Sequence, residues 1–302
     1  MRLAVTGAGG FVGRNLVSLA AASRHQVRGL TRSEAAARVV THAGGVPERI
    51  GGLEAEELAR AFEGAAVVVH LAQIGAQRGE ATYTRVNVEG TRRVIAAARD
   101  AGVPRIVFFS GLGLARYGMA ARCTNPYFLS KLLAEAALLE SGLELAVFRP
   151  SYIVGPGDAY VPSLVKDMAR GELEQVGDGA YRMQPIAVQD AAACVLAAAE
   201  RPALRHAVFD LVGPQPVSWR DLVERVGRAA ITLGKAGPYR VREIAVASAE
   251  QAARGDGYRG MRSDELDCLL CDEVGDPRPL EALLGRFLTP LDDAVAAAVR
   301  SA

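Results

Sequence analysis

The sequence predicts an α/β fold: a doubly wound parallel sheet with a smaller C-terminal lobe. Three observations carry this. Short apolar runs alternate with longer helical patterns over the first two-thirds of the 302 residues. The central runs, "AAVVVHLA" and "RIVFFSG", are almost continuously apolar, as in strands buried on both faces. The first run ends in a glycine cluster, "TGAGGFVG", that leads straight into a helical pattern.

"RLAVTG" opens as the first strand and "FVGRNLVSLAAAS" follows as its helix. "QVRGLTR" is the second strand, "VPERIGGL" holds a weak third, and "AAVVVHLA" is the fourth. "TRRVIAAARDAG" is a glycine-stopped helix, "RIVFFSG" the fifth strand, "PYFLSKLLAEAALLESG" another glycine-stopped helix, and "ELAVFRP" the sixth strand. After Pro150 glycine and proline become frequent, and "GPGDAYVPSL" reads as a mobile loop able to close over a ligand. "QPIAVQDAAACVLAAAERP" and "HAVFDLVG" read as a helix and strand that return to the main sheet.

Half the residues are apolar and the formal charge is +1, which gives no broad electrostatic pull toward nucleic acid or an anionic membrane. No apolar run approaches the roughly 18 residues of a membrane span, and "MRLAVTGAGG" lacks the pattern of an export signal. A soluble cytoplasmic protein is therefore expected. Arginine outnumbers lysine 32 to 3, which fits a GC-rich bacterial genome. Cys123, Cys194, Cys268 and Cys271 make no disulfide framework, and the four histidines are scattered, so no metal site is expected. "CLLC" at 268–271 reads as part of an amphipathic helix with buried thiols.

Gly7, Gly10 and Gly13 sit at the junction of the first strand and its helix. There, backbone N–H groups and the positive helix end can approach a pyrophosphate, so this is read as a dinucleotide site in a Rossmann sheet. The expected division is residues 1–150 and 182–212 as the dinucleotide-binding domain, with 151–181 and 213–302 as the smaller substrate-binding lobe. The second strand ends in "RGLTRS" without an Asp or Glu to hold a ribose 2′-hydroxyl. Arg32, near Ser33, and Arg14 could instead hold a 2′-phosphate, which favours NADP(H) over NAD(H); solvated surface arginines are the other reading.

"TGAGGFVGRNL", "VVVHLA", "NVEGTRRVIAAA", "RIVFFSG", "PYFLSK", "RPSYIVGPGD" and "PIAVQDAA" follow one another in an order that resembles the short-chain dehydrogenase/reductases. The similarity is to their extended and atypical branch, with its NAD(P)-dependent epimerases and dehydratases. The resemblance implies that Gly7, Gly10, Phe11 and Val12 line the pyrophosphate, that Leu71 and Ala72 flank the adenosine side, and that Pro150 to Ile153 lie near the nicotinamide. Asn87 matches the Asn of the family's "N-V-x-G-T" segment.

Tyr127 and Lys131 stand four apart in "TNPYFLSK" and so project to one side of a helix. An ammonium near a phenol stabilises the phenolate. Tyr127 is thus the candidate acid/base, with Lys131 tuning it and holding the nicotinamide ribose. Family members place a Ser or Thr just after the fifth strand to bind the substrate oxygen, whereas Gly111 or Leu112 stands there in "FFSGLGL". Ser110, one or two positions early, and Thr124, on the tyrosine-bearing loop, are the substitute hydroxyls. A second departure is Gly52, where relatives often carry an Asp against adenine. Arg182 is a candidate for binding a substrate phosphate or carboxylate, a structural ion pair being the alternative.

The function expected is an NADP(H)-dependent oxidoreductase or epimerase/dehydratase acting on a hydroxyl or keto group of a small molecule, a nucleotide sugar among the candidates. The alternative is a non-catalytic NAD(P)-binding protein similar to the branch with a complex I accessory subunit. The alanine-rich faces of "VIAAARDA" and "KLLAEAALL" are compatible with a homodimer.

Overall fold

The computed structural model describes residues 1–53, 55–113, 125–201, 204 and 206–302. The chain forms two compact units. One comprises Met1–Pro150, Gln189–Asp210 and Pro279–Arg286; the other comprises Ser151–Val188, Leu211–Arg278 and Phe287–Ala302.

The chain opens with β1 (Arg2–Thr6), α1 (Phe11–Ala22), β2 (Gln26–Thr31), α2 (Glu34–His42), β3 (Val46–Arg49), α3 (Ala55–Phe62) and β4 (Val67–His70). A π-helical stretch, Thr84–Glu89, runs directly into α4 (Gly90–Asp100); β5 (Arg105–Phe109), α5 (Pro126–Leu139) and β6 (Glu144–Pro150) follow. Next come β7 (Ile153–Val154), α6 (Tyr160–Ala169), β8 (Glu172–Val176), β9 (Arg182–Met183) and β10 (Ile186–Ala187). α7 (Val188–Glu200) and β11 (Ala207–Leu211) return to the first unit, and β12 (Val217–Ser218), α8 (Trp219–Thr232), β13 (Arg240–Ile244), α9 (Val246–Arg254) and α10 (Ser263–Leu269) extend the second. α11 (Arg278–Leu284) and α12 (Leu291–Arg300) close the chain.

The main sheet has the order β11-β6-β5-β4-β1-β2-β3. Its pairs from β3 through β6 are parallel, in register Val5↔Gly29 on one side of β1 and Val5↔Val69 on the other. β4 and β5 are buried at every position, which is why their sequences lack polar alternation. Phe62, Phe108, Leu58, Ile106, Leu138 and Leu145 make the centre of the core on the α3–α4–α5 side.

The sequence reading places no helix between the second, third and fourth strands, yet α2 and α3 fill both gaps. They are 9 and 8 residues long, and alanine and charged residues dominate them, so their apolar stripes are thin. α2 buries only Ala37 and Val40, with Ser33 as its cap accepting from the Ala36 N–H at 3.2 Å.

In the second unit, α6, α8 and α12 enclose Val161, Leu164, Met168, Trp219, Leu222, Val226, Val295 and Val299. β8 pairs in parallel with β13, and β9 antiparallel with β12. The mobile loop expected over "GPGDAYVPSL" is instead an anchored helix start. The Asp158 carboxylate accepts from the Tyr152 hydroxyl at 2.8 Å and from the Tyr160 N–H at 2.6 Å, and α6 begins at Tyr160. "CLLC" begins on α10, with both thiols partly covered and the Cys271 thiol donating to the Cys268 carbonyl.

Candidate active site

The strand order reverses beside β1: the chain passes from β1 to β2 on one side, while β4 lies on the other. A crevice therefore opens at the carboxyl ends of β1 and β4, where ligands of such sheets bind. Gly7 fills that corner with φ +71°, a conformation that side chains resist. A Cβ there would lie 2.9 Å from the Ala72 nitrogen and the Leu71 carbonyl carbon. At Gly13 a Cβ would drive into the Gly7 carbonyl oxygen and Ala8. The three glycines thus let the turn close against the Leu71–Ala72 backbone. Gly10 is the N-cap of α1, and no side chain caps that helix, so none competes for the amides around Phe11, Val12 and Gly13. An uncapped helix end behind a turn whose one side chain, Ala8, is buried fits a pyrophosphate.

Below this turn runs a chain of hydrogen bonds that sequence reasoning missed. The Ala72 N–H donates to Thr6 Oγ1 at 3.2 Å, and Thr6 Oγ1 lies 2.8 Å from His70 Nδ1. On the ring's far side, His70 Nε2 lies 3.0 Å from Thr91 Oγ1, which itself donates to the Asn87 carbonyl at 2.6 Å. With the Thr91 proton committed to Asn87, Nε2 must carry a proton and donate, leaving Nδ1 to accept from Thr6. The neutral ring satisfies every partner. Burial, aided by the charge of Lys131, pulls the His70 pKa down to about 3, which keeps the ring neutral.

Asn87 carries the same network toward Tyr127. Its side-chain oxygen accepts from the Ile74 N–H at 2.9 Å, and its amide donates to the Ile74 carbonyl and to Ser130 Oγ, each at 3.0 Å. Ser130 in turn donates to the Tyr127 carbonyl at 2.7 Å. Asn125 caps α5 by accepting from the Tyr127 and Phe128 N–H groups at 3.0 and 3.2 Å, and Pro126 takes the first helical position. Tyr127 therefore sits in the first turn of a helix fixed by both its cap and a buried amide.

One turn along α5, Lys131 is 4% exposed. Its Nζ donates to the Phe109 carbonyl at 3.1 Å and lies 5.7 Å from the Tyr127 ring centroid, within cation–π range. Burial lowers its pKa to about 7, partly offset by the Glu135 carboxylate. The Tyr127 ring packs edge-on against Tyr83 at 5.7 Å.

Ser110, just beyond β5, is buried, and its hydroxyl has no partner among the described residues. At Gly111 a Cβ would stand 3.8 Å from Lys131 Cγ and 3.9 Å from the Phe128 ring, ordinary contacts. Gly111, one of the two positions read for the missing hydroxyl, thus faces Lys131 and has room for a side chain. Gly113 has none, because a Cβ there would penetrate the Phe128 ring. Leu112 is buried, and Thr124 lies outside the described residues.

The remaining candidates are dispersed. Arg14 stacks on the Phe11 ring at 5.8 Å. Arg32 is exposed at the end of β2, next to the Ser33 cap, while the nearby acid Glu34 is engaged by Arg49 at 3.1 Å. Pro150 ends β6 in the first unit; Ile153 lies on β7 in the second, paired with Ile186. Arg182 grips Asp272 through Nε at 3.2 Å and Nη2 at 3.1 Å, and its N–H donates to the same carboxylate. That is the ion-pair alternative, made within the second unit. Among the described residues no His, Cys, Asp and Glu cluster could hold a metal, and no helix is long and apolar enough to cross a membrane.

The family model "NAD dependent epimerase/dehydratase family" matches residues 3–209. The chain belongs to this family. Among similar members, a 4-hydroxy-2-methyl-3-oxo-4-farnesyl-3,4-dihydroquinoline-1-oxide ketoreductase of Stigmatella aurantiaca is 34% identical over 218 residues, covering 67% of this chain and 65% of that protein. The chain thus spans just under two thirds of that relative's length. A 2-alkyl-3-oxoalkanoate reductase of Stenotrophomonas maltophilia is 30% identical over 248 residues, covering 75% of this chain and 74% of the other. The structure of MoeE5 in complex with UDP-glucose and NAD shares the fold, with a TM-score of 0.77 at 24% identity over 100% of this chain and 98% of that one. Relatives of this chain are named as reductases and epimerases, which does not favour the non-catalytic alternative.

Proposed function

We propose that the protein is a cytoplasmic, NADP(H)-preferring oxidoreductase of the short-chain type, which interconverts a ketone and an alcohol on a small molecule. Lys131 carries this reading: a buried amine whose pKa is lowered to about 7, held beneath the Tyr127 ring on one helix; the glycine turn after β1, where side chains would clash, supports it. The names of the two ketone reductases above support the redox direction over epimerisation or dehydration.

Gly7, Gly10, Phe11, Val12 and Gly13 would hold the pyrophosphate through backbone N–H groups. Leu71 and Ala72 would flank the adenosine, with Arg14 and Arg32 at its 2′-phosphate. Lys131 would hold the nicotinamide ribose, with Pro150 and Ile153 near the ring. When bound, the cofactor supplies or accepts the hydride. Tyr127 gives its phenolic proton to the carbonyl oxygen as negative charge builds there, and the Lys131 ammonium stabilises the phenolate left behind. Ser110 is the available hydroxyl for that oxygen, Gly111 having none.

The test is NADPH oxidation by purified protein across a panel of cyclic and aliphatic ketones, compared with NADH. Tyr127→Phe is expected to lower kcat about 10²- to 10⁴-fold with NADPH binding retained. Turnover unchanged in Tyr127→Phe would remove the mechanism; equal affinity for NADH and NADPH would remove the role of Arg32. A homodimer through α4 and α5 is part of the proposal. α5 exposes Leu129, Leu132, Leu133 and Leu139, an apolar row left uncovered among the described residues.

A further inference from the structure

The second unit contains a cavity of about 220 Å³ that none of the functional reading above uses. It lies between α6, β8, the start of α8 and the Tyr258–Met261 turn before α10. Aromatic rings make one wall. Tyr160 and Trp219 have centroids 5.3 Å apart, and Tyr181 stacks on Trp219 at 6.1 Å with 17° between the planes. Met261, Leu266, Leu269 and Leu270 make the other.

The charged groups on its lining are already paired. Arg259 is bound to Asp167. Glu174 is bound to Arg242 and accepts from the Tyr258 hydroxyl at 3.0 Å. Arg259 is also held at φ +49°, ahead of Gly260 at +80°, in a tight turn closed by reciprocal Tyr258–Met261 backbone bonds. Positive φ at both central positions is a type I′ turn, which favours Gly or Asn over Arg. An arginine kept at that cost closes the turn onto Asp167. Two carboxylates against one guanidinium leave the lining with no spare positive charge, so a phosphate entering here would lose its hydration without a counter-charge. A flat uncharged ring would gain stacking and burial instead. At about 220 Å³ the space is below the roughly 300–1,000 Å³ of sites that enclose a whole drug-sized molecule, so it takes one ring system or one end of a longer molecule.

We infer that this pocket binds an uncharged ring-bearing group, such as the ring of a ketone or alcohol, and that it does not take a phosphate.

Trp219 is the only tryptophan of the chain, so its emission reports this pocket alone. Titrating the cofactor-free protein with 2-tetralone and, separately, with inorganic pyrophosphate reads binding without turnover. A failed pocket is thereby distinguished from a failed catalytic reading. Saturable quenching by 2-tetralone is expected, with at least tenfold weaker binding in Met261→Phe and in Leu269→Phe, each of which fills the cavity. Melting curves on both variants show which remain folded, and pyrophosphate is expected to cause no quenching at ten times the tetralone concentration. Quenching by pyrophosphate within that range would overturn the inference. So would tetralone binding unchanged in the folded filled variants, or no tetralone binding at all.

Discussion

Lys131 links stability and chemistry through one proton. Its folded pKa of about 7 lies below the roughly 10.4 of an unfolded lysine, so between those values the unfolded chain binds more protons. Stability from this site rises as pH climbs from about 7 to about 10 and is lost on the way down. A melting series over that range should slope upward in the wild type and flatten in Lys131→Met. His70 has the same sign in a lower window, from about 3 to its ordinary 6.5, so His70→Gln should reduce the loss of stability between pH 6.5 and 4. Gly111→Ser adds a hydroxyl at one of the two positions, Gly111 or Leu112, read for the family's Ser or Thr, with room beside Lys131; kcat is expected to rise about tenfold or more, since losing one oxyanion donor costs roughly 10²- to 10³-fold. No rise, in a folded variant, would show that Ser110 already serves that oxygen. Tyr127 and Lys131 were legible because both stand on one helix, four residues apart. Thr6, His70 and Thr91 were not, because residues 64 and 21 positions apart meet only after three elements have packed.

The helices show the same division between local and assembled information. The helix expected over "PYFLSKLLAEAALLESG" is α5, and the structure starts it at Pro126 with Asn125 as its cap. Asn125→Ala is expected to cost about 1 kcal/mol in stability and to lower kcat more than KM, because the lost cap frees the turn that carries Tyr127. Gly13→Ala should be worse: the new methyl meets backbone atoms of Gly7 and Ala8, overpacking that costs typically 1–3 kcal/mol, and nucleotide affinity should fall with it. α2 and α3 escaped the sequence reading because short alanine-rich helices draw their stability from the sheet they cover rather than from their own pattern. The π-helical stretch was equally silent. It places Asn87 where the amide can join Ile74 to Ser130, and a pattern of apolar spacing does not register one extra residue in a turn.

Fold class was the most legible property of the chain as a whole. A parallel sheet follows from the buried apolar runs, whereas its order β11-β6-β5-β4-β1-β2-β3, with the reversal beside β1 that locates the crevice, comes from the assembled chain. The anchoring of "GPGDAYVPSL" was not legible, since it depends on Asp158 meeting the Tyr152 hydroxyl. Association is the remaining property of the whole chain. Leu132→Asp together with Leu133→Asp is expected to convert a dimer to a monomer in sedimentation, with melting behaviour otherwise preserved; unchanged mass would remove the α4–α5 contact. Scarcity of lysine has one more outcome. With only Lys131, Lys166 and Lys235 in the chain, carbamoylation by cyanate has three side-chain targets. An amine of pKa near 7 is about half unprotonated at neutral pH and so open to this reaction. Neutral-pH labelling should therefore mark Lys131. NADPH should shield that site, turning a mass spectrum into a direct count of occupied cofactor clefts.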